Sequence, residues 1–209
     1  MNISAAPPSP PSPSRQPEPQ VDWVIFGIGN RSRGDDAAGP LILDWLADQP
    51  PPPGGWLLLE VFQLQPEHVL DMALGRQVLF IDADLGLTAQ EAWRVAPCAP
   101  DTRPRSFSHH LTPAQLLGAF SQICANPPPA AWVWHIRAEH MNLGHPPSLG
   151  LHHILNRLER DGLGCVAHDR DQGQDPGLHK NLIWDFFTQK AQKTGIKFAK
   201  HEKIESAMN

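Results

Sequence analysis

Three short stretches of the sequence contain acidic or imidazole side chains at spacings that could bind a metal or transfer protons. They are IGNRSRGDDAAG with Asp35 and Asp36, FIDADLG with Asp82 and Asp84, and SFSHHLTPAQLL with His109 and His110. Carboxylate oxygens and imidazole nitrogens suit first-row divalent ions such as nickel, iron or zinc. An open site with only three protein ligands would leave coordination positions for a substrate.

Alternating apolar and amphipathic segments predict the elements that position these stretches. The strand candidates are DWVIFG, WLLLEVF, QVLFIDA, EAWRVAP and AWVWHIRA, and the helix candidates span 37–47, 66–74, 112–124 and 148–160. Strands that are apolar at consecutive positions and separated by helices indicate a sheet covered on both faces. We therefore predict an α/β fold: a single three-layer α/β/α domain with a central, mostly parallel, twisted sheet of about five strands.

The acidic and histidine-containing stretches follow predicted strands or precede predicted helices. In open α/β sheets ligands collect at the carboxyl ends of the strands, so these stretches are expected to converge there. Glu60 and Gln63, which lie at or just after the end of the second strand, are expected at the same edge.

A dinucleotide site is a weaker alternative. Glu60 occupies the position of a ribose-binding acid, but the glycines at 27, 29 and 34 do not have the GxGxxG spacing. Two carboxylates at the start of the following helix would also repel a pyrophosphate. A cation removes this conflict, so the sequence favours a metal site.

Composition limits the class of protein. The 209 residues are 41% hydrophobic, enough for one core, and the net charge of −5 argues against a nucleic-acid partner. No apolar run approaches the roughly 20 residues that span a bilayer, and the N-terminus lacks a secretory signal pattern. Three scattered cysteines (Cys98, Cys124 and Cys165) form no CxxC pair. We expect a cytoplasmic monomer that binds neither membrane nor nucleic acid.

The chain divides into three predicted regions. Residues 1–21 are a Pro/Ser-rich leader, expected to be disordered because it has too few apolar side chains to fold. Residues 22–164 form the α/β domain. Residues 165–209 are a lysine-rich extension of uncertain structure: all six lysines lie there, and positions 176–209 have a net charge of +3 against −8 for positions 1–175.

Four motifs, in this order and spacing, resemble those of nickel–iron hydrogenase maturation endopeptidases. They are FGIGNRSRGDDAAG, QLQPE, LFIDADLG and SHHLTPAQLL, and the resemblance covers about residues 22–160. It implies an aspartyl-type endopeptidase that removes a C-terminal peptide from the hydrogenase large-subunit precursor after nickel insertion. It also implies that Asp36, Asp82 and His110 meet the nickel, which the substrate supplies.

Some assignments within these motifs remain open. The spacing from His110 to Pro113 fits the family pattern better than the spacing from His109, so we favour His110 as the ligand. Asp36 and Asp82 are the candidates for a catalytic carboxylate, and the nucleophile is unidentified. We predict that Asp35 caps a helix, that Asp84 binds a turn and that His135 is a satisfied core histidine.

Two further function classes stay open at this point. The common protease patterns GxSxG and HExxH are absent, and no cysteine has a context that would lower its pKa. A non-catalytic escort or chaperone for a maturing large subunit would need the same metal-binding side chains as a protease. A dinucleotide-binding α/β protein is the less favoured alternative.

Overall fold

The centre of the protein is a five-stranded sheet. The structure, a computed structural model, describes residues 18–103, 111–124 and 126–162. The strands are β1 (Val21–Ile28), β2 (Trp56–Val61), β3 (Gly75–Asp84), β4 (Trp93–Cys98) and β5 (Ala130–Arg137). Their order is β2-β1-β3-β5-β4; neighbours pair in parallel except for β4, which runs antiparallel to β5 at one edge. The predicted sheet of about five mostly parallel strands is confirmed.

In the described part of the chain, four helices cover the sheet. They are α1 (Ala38–Ala47), α2 (His68–Met72), α3 (Pro113–Ile123) and α4 (Leu149–Asp161), and a 3₁₀ turn (Gly34–Ala37) precedes α1. All four were predicted, and only α2 is clearly shorter than expected. Its start moves to His68 because Pro66 and Glu67 form a turn before the helix.

Apolar side chains fill both faces of the sheet, which confirms the three-layer architecture. On one face the buried cluster joins the strands to α1 and α4, through residues such as Ile25, Ile42, Leu79, Trp134 and Leu151. On the other face a second cluster joins them to α2 and α3, through residues such as Phe26, Met72, Phe80, Leu116 and Phe120. Because both faces are covered, the strands are apolar at consecutive positions rather than alternating.

The strand order places a topological switch point between β1 and β3. From β1 the chain crosses through α1 to β2 on one side, then through α2 to β3 on the other side of β1. In the parallel register Gly27 lies opposite Ile81, so the residues after β1 are beside Asp82 at the end of β3. We call the edge where the four parallel strands end the carboxyl edge. A ligand is expected there, at the switch point.

Some predictions concern residues outside these ranges. Residues 1–17 and 163–209 include most of the predicted leader and the whole predicted extension, so the division of the chain stays a prediction. Within the described ranges, every helix is too short or too polar to cross a membrane.

The start of α3 has a complete capping box. The Thr112 hydroxyl accepts a hydrogen bond from the Gln115 backbone N–H at 3.3 Å, and the Gln115 side-chain oxygen accepts one from the Thr112 N–H at 2.8 Å. These bonds satisfy two backbone donors that the helix itself leaves unpaired. They also fix where α3 begins, three residues after His110 in the sequence.

We expect Thr112→Ala to lower the free energy of unfolding by about 1 kcal/mol, because the helix loses its cap. Urea unfolding followed by circular dichroism measures the change. Thr102→Ala, at an exposed loop threonine, is the matched control and should unfold like the wild type. Equal stability of all three proteins would contradict the assigned role of the cap.

Candidate functional site

A tight turn follows β1 and brings Asp36 back towards the end of the strand. We call residues 29–36 the glycine turn. Gly29 has a φ of +134°, its N–H donates to the Val61 carbonyl at 2.9 Å, and a Cβ there would lie 1.8 Å from the Asp36 carbonyl oxygen. Only glycine fits a backbone approach this close and this conformation. Gly29 therefore allows the chain to turn back so that Asp36 lies next to the end of β1.

Asp36 and Asp82 are brought together at the carboxyl edge, as predicted. Asp36 is partly buried, and its Oδ2 accepts a hydrogen bond from the Asn30 N–H at 3.0 Å. The pKa of Asp82 is raised to about 6: burial is the largest cause and the negative charges of Asp36 and Asp84 add to it, whereas a backbone hydrogen bond from Ala83 acts in the opposite direction. The Asp36 carboxylate is thus close enough to Asp82 for the two to repel each other. A divalent cation between them would relieve that repulsion.

Asp35 does not cap its own helix, so that prediction is wrong. Its side chain is fully buried, and neither the 3₁₀ turn nor α1 has a side-chain cap. The Asp35 carboxylate instead accepts backbone N–H bonds from Glu139 (2.7 Å), His140 (3.4 Å) and Ser148 (2.6 Å). These donors belong to residues 138–148, the β5–α4 loop. The sequence pattern of an N-cap was misleading here because the backbone N–H groups that bind Asp35 come from a distant segment and not from the helix that follows it.

Burial alone would raise the pKa of Asp35. Hydrogen bonds from the Glu139, Ser148 and His140 backbone and from the Ser148 side chain outweigh that effect and hold the pKa below its usual value. Asp35 is therefore a buried anion at neutral pH, compensated by peptide dipoles from the β5–α4 loop.

Backbone hydrogen bonds join the β5–α4 loop to the glycine turn at several further points. The Gly34 N–H donates to His145 O, the Asp35 N–H to His140 O, and the Gly144 N–H to Ser32 O, at 2.7 to 3.0 Å. Sequence analysis assigned no role to this loop. A loop between a strand and a helix has no sequence motif that identifies its distant partners.

Asp84 and His135 occupy the same edge without joining the acidic pair. Asp84 Oδ1 accepts a hydrogen bond from the Gly86 N–H at 2.7 Å, which confirms the predicted turn. His135 Nδ1 lies 3.2 Å from Asp84 Oδ2, so this strand histidine has a partner, as predicted, but its side chain is 30% exposed and therefore does not lie in the core. Burial lowers the pKa of His135, and nearby Arg94 lowers it too, whereas the Asp84 charge opposes them.

Arg31, in the glycine turn, is the edge residue that sequence analysis missed. Its guanidinium binds the carboxylates of both Glu60 and Asp44 at 2.6 to 2.9 Å. Glu60 therefore has a partner within the protein rather than a free carboxylate for a ribose. The sequence does show an arginine followed by an acid in a predicted helix and another at the end of a predicted strand, which is compatible with an ion-pair network. Only the fold shows that the three side chains meet.

The predicted third ligand cannot be placed. His109 and His110 lie outside the described residues, so their assignment stays a prediction. Leu111, the next residue along the chain, is held at the carboxyl edge, where its N–H donates to the Leu64 carbonyl at 3.1 Å. Within the described residues no three His, Cys, Asp or Glu side chains form a metal-binding group.

The described cysteines do not suggest a thiolate nucleophile. Burial raises the pKa of the Cys98 thiol to about 11, so it is protonated at neutral pH. Cys124 is buried in the core between the sheet and α3. Neither residue has the electropositive surroundings that activate a catalytic cysteine.

The fold and site define a class of protein: a three-layer α/β domain with an acidic pair at the switch point of its sheet. Solved structures with a similar fold include hydrogenase maturation enzymes. The hydrogenase maturating endopeptidase HybD from Escherichia coli is 16% identical, with a TM-score of 0.53, over 72% of this chain and 94% of that one. The [NiFe] hydrogenase maturation protease HycI from Thermococcus kodakarensis KOD1 is 21% identical, with a TM-score of 0.50, over 71% and 94%.

A further similar structure is an endopeptidase from Escherichia coli, 16% identical with a TM-score of 0.51 over 72% of this chain and 94% of that one. No family model matches the sequence, and no curated protein matches it. At these identities the similarity establishes the fold, which is the fold implied by the four sequence motifs.

We expect Asp35→Asn to lower the free energy of unfolding by about 2–4 kcal/mol, because an amide cannot accept all the hydrogen bonds that converge on the buried carboxylate. Since the pKa of Asp35 is lower folded than unfolded, its contribution is present above about pH 4 and is lost as the pH falls through the folded-state value.

Urea unfolding between pH 2 and 7 tests both effects: the variant should lose less stability on acidification than the wild type. Asp48→Asn, at an exposed position after α1, is the control. A variant with wild-type stability at pH 7 would contradict the role of Asp35 as the tie between the two segments.

Proposed function

We propose that the protein is an endopeptidase that removes the C-terminal peptide of a nickel–iron hydrogenase large-subunit precursor after nickel insertion. The observation that carries the proposal is the meeting of Asp36 and Asp82 at the switch point of a fold shared with maturation endopeptidases. The motif resemblance around both residues supports it. The proposal places the enzyme in the cytoplasm as a monomer.

Nickel enters this proposal as part of the substrate. Asp36, Asp82 and His110 would contact an ion that the precursor already holds. The two carboxylates provide oxygen donors whose mutual repulsion a cation relieves, and an imidazole completes a donor set suited to nickel. Without the ion, the two carboxylates repel each other and the precursor offers no positive charge for them to bind. The site would therefore distinguish nickel-loaded precursor from nickel-free precursor.

Hydrolysis then needs little additional machinery from the protein. Nickel can polarise the scissile carbonyl or lower the pKa of a water molecule that attacks the carbonyl carbon. A carboxylate accepts the proton of that water and returns it to the amine as the C–N bond breaks. Asp36 and Asp82 are the candidates for this carboxylate.

Apolar side chains near the acidic pair would contact the precursor polypeptide. Phe62, Leu85 and Leu143 are 75%, 57% and 73% exposed, and each lies in a loop that follows a strand at the carboxyl edge. Covering exposed aromatic and aliphatic groups of this size makes the free energy of binding to a partner more favourable. We propose that they hold the segment of the precursor next to the scissile bond.

The central test incubates the full-length protein with nickel-loaded and nickel-free precursor and follows the precursor mass. We expect loss of a C-terminal peptide from the loaded form only. Asp36→Ala and His110→Ala should slow cleavage by about 100-fold or more, because each removes a group that meets the ion. His109→Ala, at the neighbouring histidine, is the matched control and should cleave within severalfold of the wild-type rate.

Two results would contradict the proposal. Equal cleavage of both precursor forms would remove the role of nickel. An intact precursor that forms a stable complex with the protein would instead indicate an escort.

A second test addresses the apolar contacts. Phe62→Ser and Leu85→Ser should each raise KM for the loaded precursor by about tenfold, with little change in kcat, because they remove binding area away from the ion. Ile123→Ser changes an equally apolar, 55% exposed residue at the end of α3, away from the loops that follow the strands, and is the control. The same KM for all four proteins would show that these side chains do not bind substrate.

A further inference from the structure

We infer that Arg31 is a positioning residue for Asp36, because its guanidinium fastens the glycine turn to β2 and α1 and so fixes the direction of the Asp36 carboxylate. The role in cleavage rests on the proposed function. The structural part, that Arg31 holds the Asn30 to Asp36 contact, can be tested without it.

The Arg31 guanidinium joins the glycine turn, which contains it, to two other elements, β2 and α1. Nε and Nη2 donate to the two carboxylate oxygens of Glu60, both at 2.8 Å, at the end of β2. Nη1 and Nη2 donate to the two oxygens of Asp44, at 2.6 and 2.9 Å, in α1. Nη2 also reaches the Pro40 carbonyl at 3.3 Å in the first turn of α1.

This geometry requires arginine. A guanidinium is planar and presents its donors as a fixed fork, so one side chain can bind two carboxylates in a bidentate manner. A lysine ammonium carries the same charge on one nitrogen and cannot hold two carboxylates in a fixed plane. The mutual attraction raises the pKa of Arg31 and lowers the pKa values of Asp44 and Glu60, so all three groups remain charged near neutral pH.

The Arg31 contacts reach Asp36 through the adjacent peptide group. Asn30, the residue before Arg31, donates its N–H to Asp36 Oδ2 at 3.0 Å. The Asn30 side chain accepts the Ser32 N–H at 2.8 Å, and the Asp36 N–H donates to the Arg33 carbonyl at 3.2 Å. The backbone on either side of Arg31 is therefore part of the hydrogen-bonded turn that holds Asp36. Releasing the side chain frees the segment that orients the proposed nickel-binding carboxylate.

The exposure of the three side chains shows that the Arg31 contacts contribute little to the stability of the whole fold. Arg31, Asp44 and Glu60 are 41%, 58% and 45% exposed, and ion pairs this accessible add little to folding. The Asp35 contacts hold the opposite side of the turn independently. We therefore expect loss of Arg31 to change the geometry at Asp36 more than the stability of the fold.

The test compares Arg31→Lys, which keeps the charge, and Arg31→Gln, which removes it, in the full-length protein. With nickel-loaded precursor, both should lower kcat by about 10-fold to 100-fold and change KM less than about twofold, as expected when a supporting contact of a ligand is removed. The thermal midpoint should fall by no more than about 4 °C. Arg160→Gln, which breaks a bidentate pair with Asp161 at the last turn of α4, is the matched control and should retain wild-type kcat.

A second measurement does not depend on activity. In amide NMR spectra of the unliganded protein, Arg31→Gln should shift the Asn30 N–H resonance and speed its exchange with solvent, while Arg160→Gln leaves it unchanged. If the wild type cleaves precursor but Arg31→Gln has the wild-type kcat, the inference is overturned. If the wild type does not cleave, the proposed function fails and the Asn30 resonance alone decides: an unchanged signal in Arg31→Gln overturns the positioning role.

Discussion

The organisation of the site depends on one buried carboxylate. Asp35 has no exposed surface and collects three backbone N–H bonds from the β5–α4 loop, which joins that loop to the glycine turn. Because it is buried, loss of any of those bonds leaves its charge less well compensated in the core. Asp35 points inward, while Asp36 lies at the carboxyl edge. Two adjacent residues of one type thus have opposite roles, one holding the turn and one available to a ligand.

Close backbone packing explains the glycines of this stretch without any need for a phosphate. A Cβ at Gly39 would lie 2.4 Å from the Ile28 carbonyl and 2.8 Å from the Ile81 carbonyl, so α1 begins in direct contact with β1 and β3. The glycines allow the helix to start against the sheet, whatever the charge of the ligand. Asp36, at the carboxyl edge, carries a negative charge that would favour a cation over an anion at the same position.

The elements were largely predictable, and the contacts between them were not. Apolar runs and helical spacing located five strands and four helices, since those patterns depend on residues a few positions apart. Asp36 and Asp82 could be paired because parallel strands that cross at a switch point end side by side. Asp35 was misassigned and Arg31 missed because their partners lie far along the chain: 104 to 113 residues away for Asp35, and 13 and 29 for Arg31.

The sequence by itself determined the α/β class, the order of the elements, and which acids follow the ends of the parallel strands. These follow from local periodicity and from the rule that ligands bind where parallel strands end. Tertiary structure alone decided which acids remain available and which are consumed internally: Asp35 by peptide donors, and Glu60 and Asp44 by Arg31. The physical reason is that a carboxylate's role depends on the donors that surround it, and folding brings those donors from distant parts of the chain.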